Sequence, residues 1–260
     1  MPATRDLHEL GQSLWLDNIT REILDDGTLQ RYIDDLSVTG LTSNPSIFQK
    51  AIGGSDSYND QIRELLGQGL ETEPLFFELA IRDLQRAADL FKPIHEATDG
   101  VDGWVSLEVS PLLANDTENT IAQAKELHAK AGRDNLFIKV PGTREGLPAI
   151  EELIFAGVPV NVTLLFSREH YLAAAEAYTR GVERRVEAGL DPFVCSVASL
   201  FISRWDKGTA DVLEGDLKNA AGIAIGERTY KSFHEFTNGE RWAELKEHGK
   251  PEREDITGTF

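Results

Sequence analysis

Short apolar runs alternate with longer amphipathic stretches along most of the chain. The short runs are rich in β-branched, aromatic and leucine residues and have the length of buried strands. They predict six strands: SLWLDN (13–18), VTGLTSNP (38–45), WVSLEVS (104–110), LFIKVPG (136–142), VPVNVTLLFS (158–167) and VCSVASLFIS (194–203).

Helical periodicity fills the segments between these runs. Apolar residues recur there at i, i+3 and i+4, and a Gly stands near the end of several segments, as is typical of a helix C-terminus. The spacing predicts helices over 19–36, 73–97, 116–132, 144–157 and 167–189, and further helix over 208–249.

The alternation of strand and helix indicates an α/β fold with a parallel sheet, either doubly wound or closed as a (β/α)8 TIM-type barrel. The dinucleotide-binding form of the doubly wound fold has no support, because no Gly-x-Gly-x-x-Gly follows the first strand. The chain has 260 residues, 41% of them hydrophobic, and no low-complexity tract. We therefore expect a single domain over 1–260.

Polar side chains stand near the carboxyl end of five of the six predicted strands. Residues i and i+2 of an extended strand share a face. The residues that share a face in this way are Trp15 with Asp17, Thr42 with Asn44, Ser106 with Glu108, Phe137 with Lys139, and Asn161 with Thr163. Each polar residue by itself is explained as a helix cap, a turn former or a hydrogen-bonded interior residue. Together they are too many to bury for packing alone, and in a barrel they surround one pocket, which favours a functional site.

The charge of the chain excludes some classes of partner. It carries 26 basic and 44 acidic residues, a formal net charge of −18, and has no long block of Lys and Arg. Nucleic acid and anionic membrane are therefore not expected as partners. The N-terminus lacks the apolar core of a signal peptide, and no segment has the roughly 18 consecutive apolar residues of a membrane span, so we expect a cytoplasmic location.

Lys139 lies in the middle of the apolar run LFIKVPG, where a lysine is seldom buried without compensation. Apolar neighbours disfavour the charged form of a lysine and make its neutral amine available as a nucleophile. Such an amine forms a Schiff base with a carbonyl substrate, and a carboxylate such as Asp17 or Glu108 can transfer the protons that C–C bond cleavage requires. The alternative is a structural ion pair between Lys139 and one of these carboxylates, and spacing alone does not separate the two interpretations.

A second candidate feature is the string SLFISRW at the end of the sixth strand. Ser199 lies in the strand, and Arg204 can reach back from the turn that follows it. A guanidinium beside a hydroxyl is a suitable phosphate site, because arginine binds phosphate through two parallel hydrogen bonds. The alternative is a surface ion pair between Arg204 and Asp206, which the spacing by itself favours.

The strings that carry these residues resemble the transaldolase family. They are SLWLDN, GLTSNPSIFQKAI, SLEVSPLLA, LFIKVPGTREGLPAIEELIFAGVPVNVTLLFS and SLFISRWD, spread from residue 10 to about residue 245. The resemblance implies an enzyme of the pentose phosphate pathway with a (β/α)8 barrel, a Schiff-base lysine on strand 4, and neither a metal nor an organic cofactor. The implied reaction transfers a dihydroxyacetone unit from a ketose phosphate, fructose 6-phosphate or sedoheptulose 7-phosphate, to an aldose phosphate.

The resemblance also implies roles for the residues that carry the chemistry. Lys139 would form the Schiff base with the substrate ketone. Asp17 would act as general acid and base at the hydroxyl of the bond being broken. Glu108 would position a catalytic water together with Thr163.

Further residues are implied in substrate binding. Asn44 and Asn161 would hold substrate hydroxyls and the covalent intermediate. Phe201 would line the pocket. Ser199 and Arg204 would bind the phosphate group.

The C-terminal segment departs from the pattern of the family. The resemblance implies a seventh strand that ends in STGT before a basic phosphate ligand, whereas KPEREDITGTF is charged and places Phe260 at that position. We therefore expect a barrel truncated to about six recognisable strands, incomplete at its C-terminus.

Open edges of such a barrel favour a homo-oligomer that covers them, or refilling of the gap by the chain's own C-terminal segment. Two alternatives to a working transaldolase stay open: a Schiff-base aldolase with an altered substrate, and a non-catalytic barrel that acts as a binding or structural partner.

Overall fold

The computed structural model describes residues 3–248, which contain six strands in one sheet. The strands are β1 (Trp15–Asp17), β2 (Gly40–Thr42), β3 (Trp104–Glu108), β4 (Leu136–Pro141), β5 (Val160–Leu165) and β6 (Ser196–Leu200). Each lies within one of the six predicted runs. The β1–β2, β2–β3 and β5–β6 pairs are parallel.

The strands follow one another in the sheet in the order β1-β2-β3-β4-β5-β6, which is also their order in the chain. A doubly wound sheet reverses its direction at a switch point, whereas a (β/α)8 barrel adds each strand beside the previous one. The strand order therefore confirms the predicted fold class, an α/β fold with the parallel strand sequence of a TIM-type barrel.

Helices lie before β1, between the strands and after β6. They are α1 (Ala3–Glu9), α2 (Arg21–Asp25), α3 (Thr28–Leu36), α4 (Pro45–Gly53), α5 (Asn59–Gly67), α6 (Thr72–Ala97), α7 (Thr117–Ala131), α8 (Gly146–Phe155), α9 (Arg168–Glu187), α10 (Ser203–Thr209), α11 (Ala221–Thr237) and α12 (Glu240–Glu247). The predicted helix over 19–36 is wrong in one respect, because Gly27 adopts a left-handed φ of 74° and separates α2 from α3. The expected helix over 208–249 is likewise two helices, α11 and α12, after an irregular stretch. The sequence did not predict α1, α4, α5 and α10, and the last of these stands where a turn was expected.

One compact unit comprises, among the described residues, 3–111 and 125–138. At the amino ends of its strands, Phe137 stacks on Trp104 with ring centroids 3.9 Å apart and on Trp15 at 6.1 Å. The indole of Trp15 also covers Gly40, where an added Cβ would come within 2.6 Å of it. Aromatic side chains and one glycine thus fill this level of the unit.

The other compact unit comprises, among the described residues, 112–124 and 139–248. In it α8 packs closely against α9, because Gly181 brings the backbones together; an added Cβ would lie 2.7 Å from the carbonyl oxygen of Glu151. Arg180 and Arg184 of α9 also form ion pairs with Glu151.

Two expectations lie partly or wholly outside the described residues. The C-terminal string that ends in Phe260 follows residue 248, so the predicted loss of strands 7 and 8 remains a prediction, as does the single domain over 1–260. Within residues 3–248, no helix combines the length and the apolar character that a membrane span requires.

Candidate active site

The first three strands bring three predicted site residues to neighbouring strand ends. Asp17 pairs in register with Thr42, and Thr42 pairs in register with Ser106. Asn44 and Glu108 follow Thr42 and Ser106 by two residues each. The first unit therefore places Asp17, Asn44 and Glu108 near the carboxyl ends of adjacent parallel strands, as the i, i+2 pattern predicted.

Asn44 has the capping role that the sequence left open for it. Its Oδ1 accepts a hydrogen bond from the backbone N–H of Ile47 at 3.0 Å and caps the N-terminus of α4. Asparagine also carries two N–H donors on Nδ2. The cap therefore fixes the orientation of the Asn44 amide through Oδ1, and it does not use the N–H groups of Nδ2.

Lys139 is buried in the middle of β4. Only 7% of its surface is exposed, and its neighbours in the strand, Ile138 and Val140, are fully buried. Burial removes the water that stabilises an ammonium group. Lys139 is therefore buried in β4 as the sequence predicted, while Ile138 and Val140 alternate with it along the strand and point to the other face.

Two polar side chains of β5 are buried next to a serine of β6. Asn161 and Thr163 are 1% and 2% exposed. The hydroxyl of Ser199 donates a hydrogen bond to Oδ1 of Asn161 at 2.8 Å. The bond uses the one proton that a serine hydroxyl can donate. It also fixes the orientation of the Asn161 amide, since Oδ1 must face Ser199.

A β-bulge interrupts β5 beside Thr163. The register with β6 shifts between Val162 and Leu165, and Leu164 adopts a left-handed φ of 61°. The carbonyl oxygen of Thr163 accepts a hydrogen bond from the N–H of Gly142 at 2.7 Å. The bulge turns Leu164 outward, to 38% exposure, and leaves Thr163 buried. Nothing in the sequence marks Leu164 for this conformation.

Arg204 is exposed in the first turn of α10, with its guanidinium carbon 5.4 Å from the ring centroid of Phe201. Among residues 3–248 it forms no ion pair. The predicted alternative, an ion pair with Asp206, is wrong: a carboxylate oxygen of Asp206 accepts a hydrogen bond from the N–H of Gly222 at 2.9 Å instead. The Phe201 ring in turn stacks on Phe166, a residue that the sequence did not single out.

Comparison with known proteins places this arrangement in a family. The profile of the family described as "Transaldolase/Fructose-6-phosphate aldolase" matches residues 14–250. The chain belongs to this family. The resemblance seen in its strand-end motifs is thereby confirmed.

Individual members of the transaldolase family support the assignment. The chain is 45% identical over 254 residues to a protein named "Transaldolase" from Renibacterium salmoninarum, covering 95% of this chain and 68% of the relative. It is 40% identical over 257 residues to "Transaldolase 2" of Nostoc punctiforme, covering 92% and 68%. It is 42% identical over 249 residues to "Transaldolase 1" of Streptomyces avermitilis, covering 92% and 65%.

Proposed function

We propose that this chain is a transaldolase, a transferase that moves a dihydroxyacetone unit between sugar phosphates through a Schiff base on Lys139. The observation that carries the proposal is the burial of Lys139 within an apolar strand of a chain that belongs to the transaldolase family. The primary amine of a lysine is a nucleophile that forms Schiff bases with carbonyl substrates.

The proposed reaction divides into two half-reactions. The Lys139 amine attacks the ketose carbonyl, water leaves, and an iminium forms. The bond between the third and fourth carbons then breaks, the electron pair enters the iminium to give an enamine, and an aldose phosphate departs. The enamine adds to the aldehyde of a second aldose phosphate, and water releases the new ketose from the lysine.

We assign the proton transfers to Asp17, Glu108 and Thr163. Asp17 takes the proton from the hydroxyl beside the breaking bond and returns a proton in the reverse step. Glu108 and Thr163 position the water that enters and leaves at the lysine. The roles suit the residue types, because carboxylates move protons and a hydroxyl both donates and accepts hydrogen bonds.

We assign substrate binding to the polar groups of the other strand ends. Asn44 and Asn161 hold substrate hydroxyls, and Phe201 lines the pocket. Arg204 and Ser199 bind the phosphate group, and the Ser199 hydroxyl turns from Asn161 to the phosphate when the ligand enters. The lack of an ion pair on Arg204 among the described residues supports its role, because its donors are not committed to a carboxylate. Neither a metal nor an organic cofactor enters this scheme.

Borohydride trapping tests the proposal directly. We expect the wild-type protein, incubated with fructose 6-phosphate and borohydride, to gain the mass of one reduced adduct, and Lys139→Ala to gain none. Lys207→Ala, which removes an exposed lysine of α10, is the matched control and should label like wild type. Absence of an adduct on wild type would favour the alternative of a non-catalytic barrel with a binding or structural role.

A Schiff-base aldolase is the second candidate, since the description of the family names fructose-6-phosphate aldolase beside transaldolase. The two differ in the fate of the enamine: a transaldolase passes it to an aldose, whereas an aldolase protonates it and releases dihydroxyacetone. We expect release of glyceraldehyde 3-phosphate from fructose 6-phosphate to depend on added erythrose 4-phosphate. Continuous release without this acceptor would instead identify an aldolase.

We also propose that the chain self-associates through β6. Among the described strands β6 has one neighbour, and four of its five residues are only half-buried. Unpaired strand edges of this kind pair with another chain. Light scattering should give about twice the monomer mass, and Val197→Lys, which adds a charge to β6, should reduce the mass to that of a monomer while Glu214→Lys does not.

A monomeric wild type would overturn this model of self-association. We further propose that the substrates are small sugar phosphates, that nucleic acid and membrane are not partners, and that the protein is cytoplasmic.

A further inference from the structure

Four residues form a closed ring of contacts: Phe166 after β5, Phe201 after β6, and Arg204 and Trp205 of α10. The rings of Phe166 and Phe201 stack with centroids 5.3 Å apart and planes 20° apart. The guanidinium carbon of Arg204 lies 5.4 Å from the centroid of the Phe201 ring. Trp205, the next residue in the chain, donates its indole N–H to the carbonyl oxygen of Phe166 at 2.7 Å.

The backbone on both sides of this aromatic pair is also held. The N–H of Phe166 donates to Nδ1 of His170 at 3.3 Å. The N–H of Phe201 donates to the carbonyl oxygen of Leu165 at 2.8 Å. The backbone N–H and C=O of Phe166 are thus both bonded, and they fix the backbone that carries the ring stacked on Phe201.

The contact with the Phe201 ring supports the guanidinium of Arg204 without using the hydrogen-bond donors of the arginine. An aromatic face attracts a guanidinium through the negative charge of the π system. A carboxylate partner would instead occupy the N–H groups that bind a phosphate, and Arg204 has no such partner within residues 3–248. The arrangement therefore suits an arginine whose N–H groups bind an anionic ligand.

We propose that Phe166 is a positioning residue for the phosphate site of Arg204. Its ring holds Phe201, and Phe201 holds the guanidinium at the place where the substrate phosphate binds. The inference rests on the proposed function for the identity of the ligand. Phe166 acts through its neighbours and takes no part in the chemistry at Lys139.

Phe166→Leu tests this role, because leucine keeps an apolar side chain and removes the stacked ring. We expect the dissociation constants of fructose 6-phosphate and of inorganic phosphate, measured by calorimetry, to rise about fivefold. The rate of borohydride trapping of unphosphorylated fructose should stay at the wild-type value. Phe166→Tyr keeps the ring and should restore phosphate affinity.

A double-mutant cycle with Arg204→Gln separates positioning from general packing. If Phe166 acts through Arg204, Phe166→Leu has no further effect on phosphate affinity once the guanidinium is gone, because coupled residues are non-additive. Thermal unfolding followed by circular dichroism checks that each variant is folded. Should Phe166→Leu fail to fold, Trp205→Phe serves in its place. It removes the indole N–H that bonds to Phe166 and should likewise raise the dissociation constant of phosphate.

Three results would overturn the inference. They are equal phosphate affinity in wild type and Phe166→Leu, equal loss for phosphorylated and unphosphorylated ketose, and full additivity with Arg204→Gln. A wild type that does not bind inorganic phosphate would overturn it as well. Failure of the proposed function is distinguishable, because it appears as the absence of a borohydride adduct with either ketose, whereas the phosphate measurements need no turnover.

Discussion

Leu164 shows how one backbone angle shapes the carboxyl end of β5. Its φ of 61° lies in the left-handed region, which costs an L-residue with a side chain about 1–2 kcal/mol. In return the bulge turns Leu164 toward solvent and leaves Thr163, the residue before it, in the interior. Strain of this kind is often found at functional sites.

Substitution at Leu164 should reveal this strain. Leu164→Ala and Leu164→Gly both remove the side chain beyond Cβ, but only glycine adopts this φ without a steric cost. We expect Leu164→Gly to be more stable than Leu164→Ala by about 1 kcal/mol in urea unfolding, the reverse of the usual order in a strand. A more stable alanine variant would show that the angle carries no strain.

His128 of α7 is a half-buried titratable residue outside the candidate site. Its Nε2 is buried and has no hydrogen-bond partner among the described residues. Burial lowers the pKa of His128 from its usual 6.5, and the nearby carboxylate of Asp134 offsets this only in part. The folded protein therefore holds His128 in its neutral form at pH values where the unfolded chain begins to bind a proton.

The lowered pKa of His128 predicts a loss of stability in acid. The contribution is fully present above the unfolded pKa, about 6.5, and is lost as pH falls through the lower folded pKa. We expect the free energy of unfolding to fall between pH 7 and pH 5 less steeply in His128→Leu than in wild type. Identical slopes for the two proteins in urea titrations would contradict the prediction.

At the scale of the elements, one buried ion pair joins three helices of the first unit. Arg21 of α2 donates from Nε and Nη2 to Oδ1 of Asp83 in α6, at 3.0 Å and 2.9 Å, and to Gln61 of α5 at 2.7 Å. Its guanidinium also lies 4.2 Å from the ring centroid of Tyr58. Arg21 is 8% exposed and Asp83 is fully buried, so water solvates these two charges very little and each depends on the other for stabilisation.

Removal of Asp83 should therefore destabilise the protein strongly. Asp83→Ala leaves the Arg21 guanidinium buried without its carboxylate, which we expect to cost about 3–5 kcal/mol in urea unfolding. Asp60→Ala is the matched control, because it breaks the pair with Arg63 while both side chains are largely exposed. That control should change stability by less than about 0.5 kcal/mol, and a similar loss in both variants would contradict the assignment.

Local chemistry explains which helices the sequence predicted correctly. The long periodic segments became α6, α7, α8 and α9, and positive-φ glycines follow α7, α8 and α9 as expected. The predicted helix over 19–36 ran through Gly27, although a left-handed glycine after Asp26 ends α2. The start of α4 was visible in the sequence too, since Asn44 before Pro45 is a favourable cap and first helical residue.

At the scale of the whole molecule, the alternation of strands and helices predicted a parallel sheet, but it left open whether the sheet is doubly wound or barrel-like. Only the structure showed that each strand lies beside the one before it in the chain. The burial of Lys139 was predicted from the apolar run that contains it, and the lysine is 7% exposed. The family profile matches residues 14–250, which contain all six strands.

By itself the sequence determined the strand pattern, the fold class and the residue types at the strand ends, because these depend on near neighbours along the chain. Only the tertiary structure decided how several of those residues are used. It paired Ser199 with Asn161, placed Arg204 against Phe201 instead of Asp206, and stacked Phe201 on Phe166. Two of these contacts join residues more than 30 positions apart, and the bulge beside Thr163 depends on pairing between two strands. Periodicity along one segment carries no information about such contacts, since they form only when distant segments pack together.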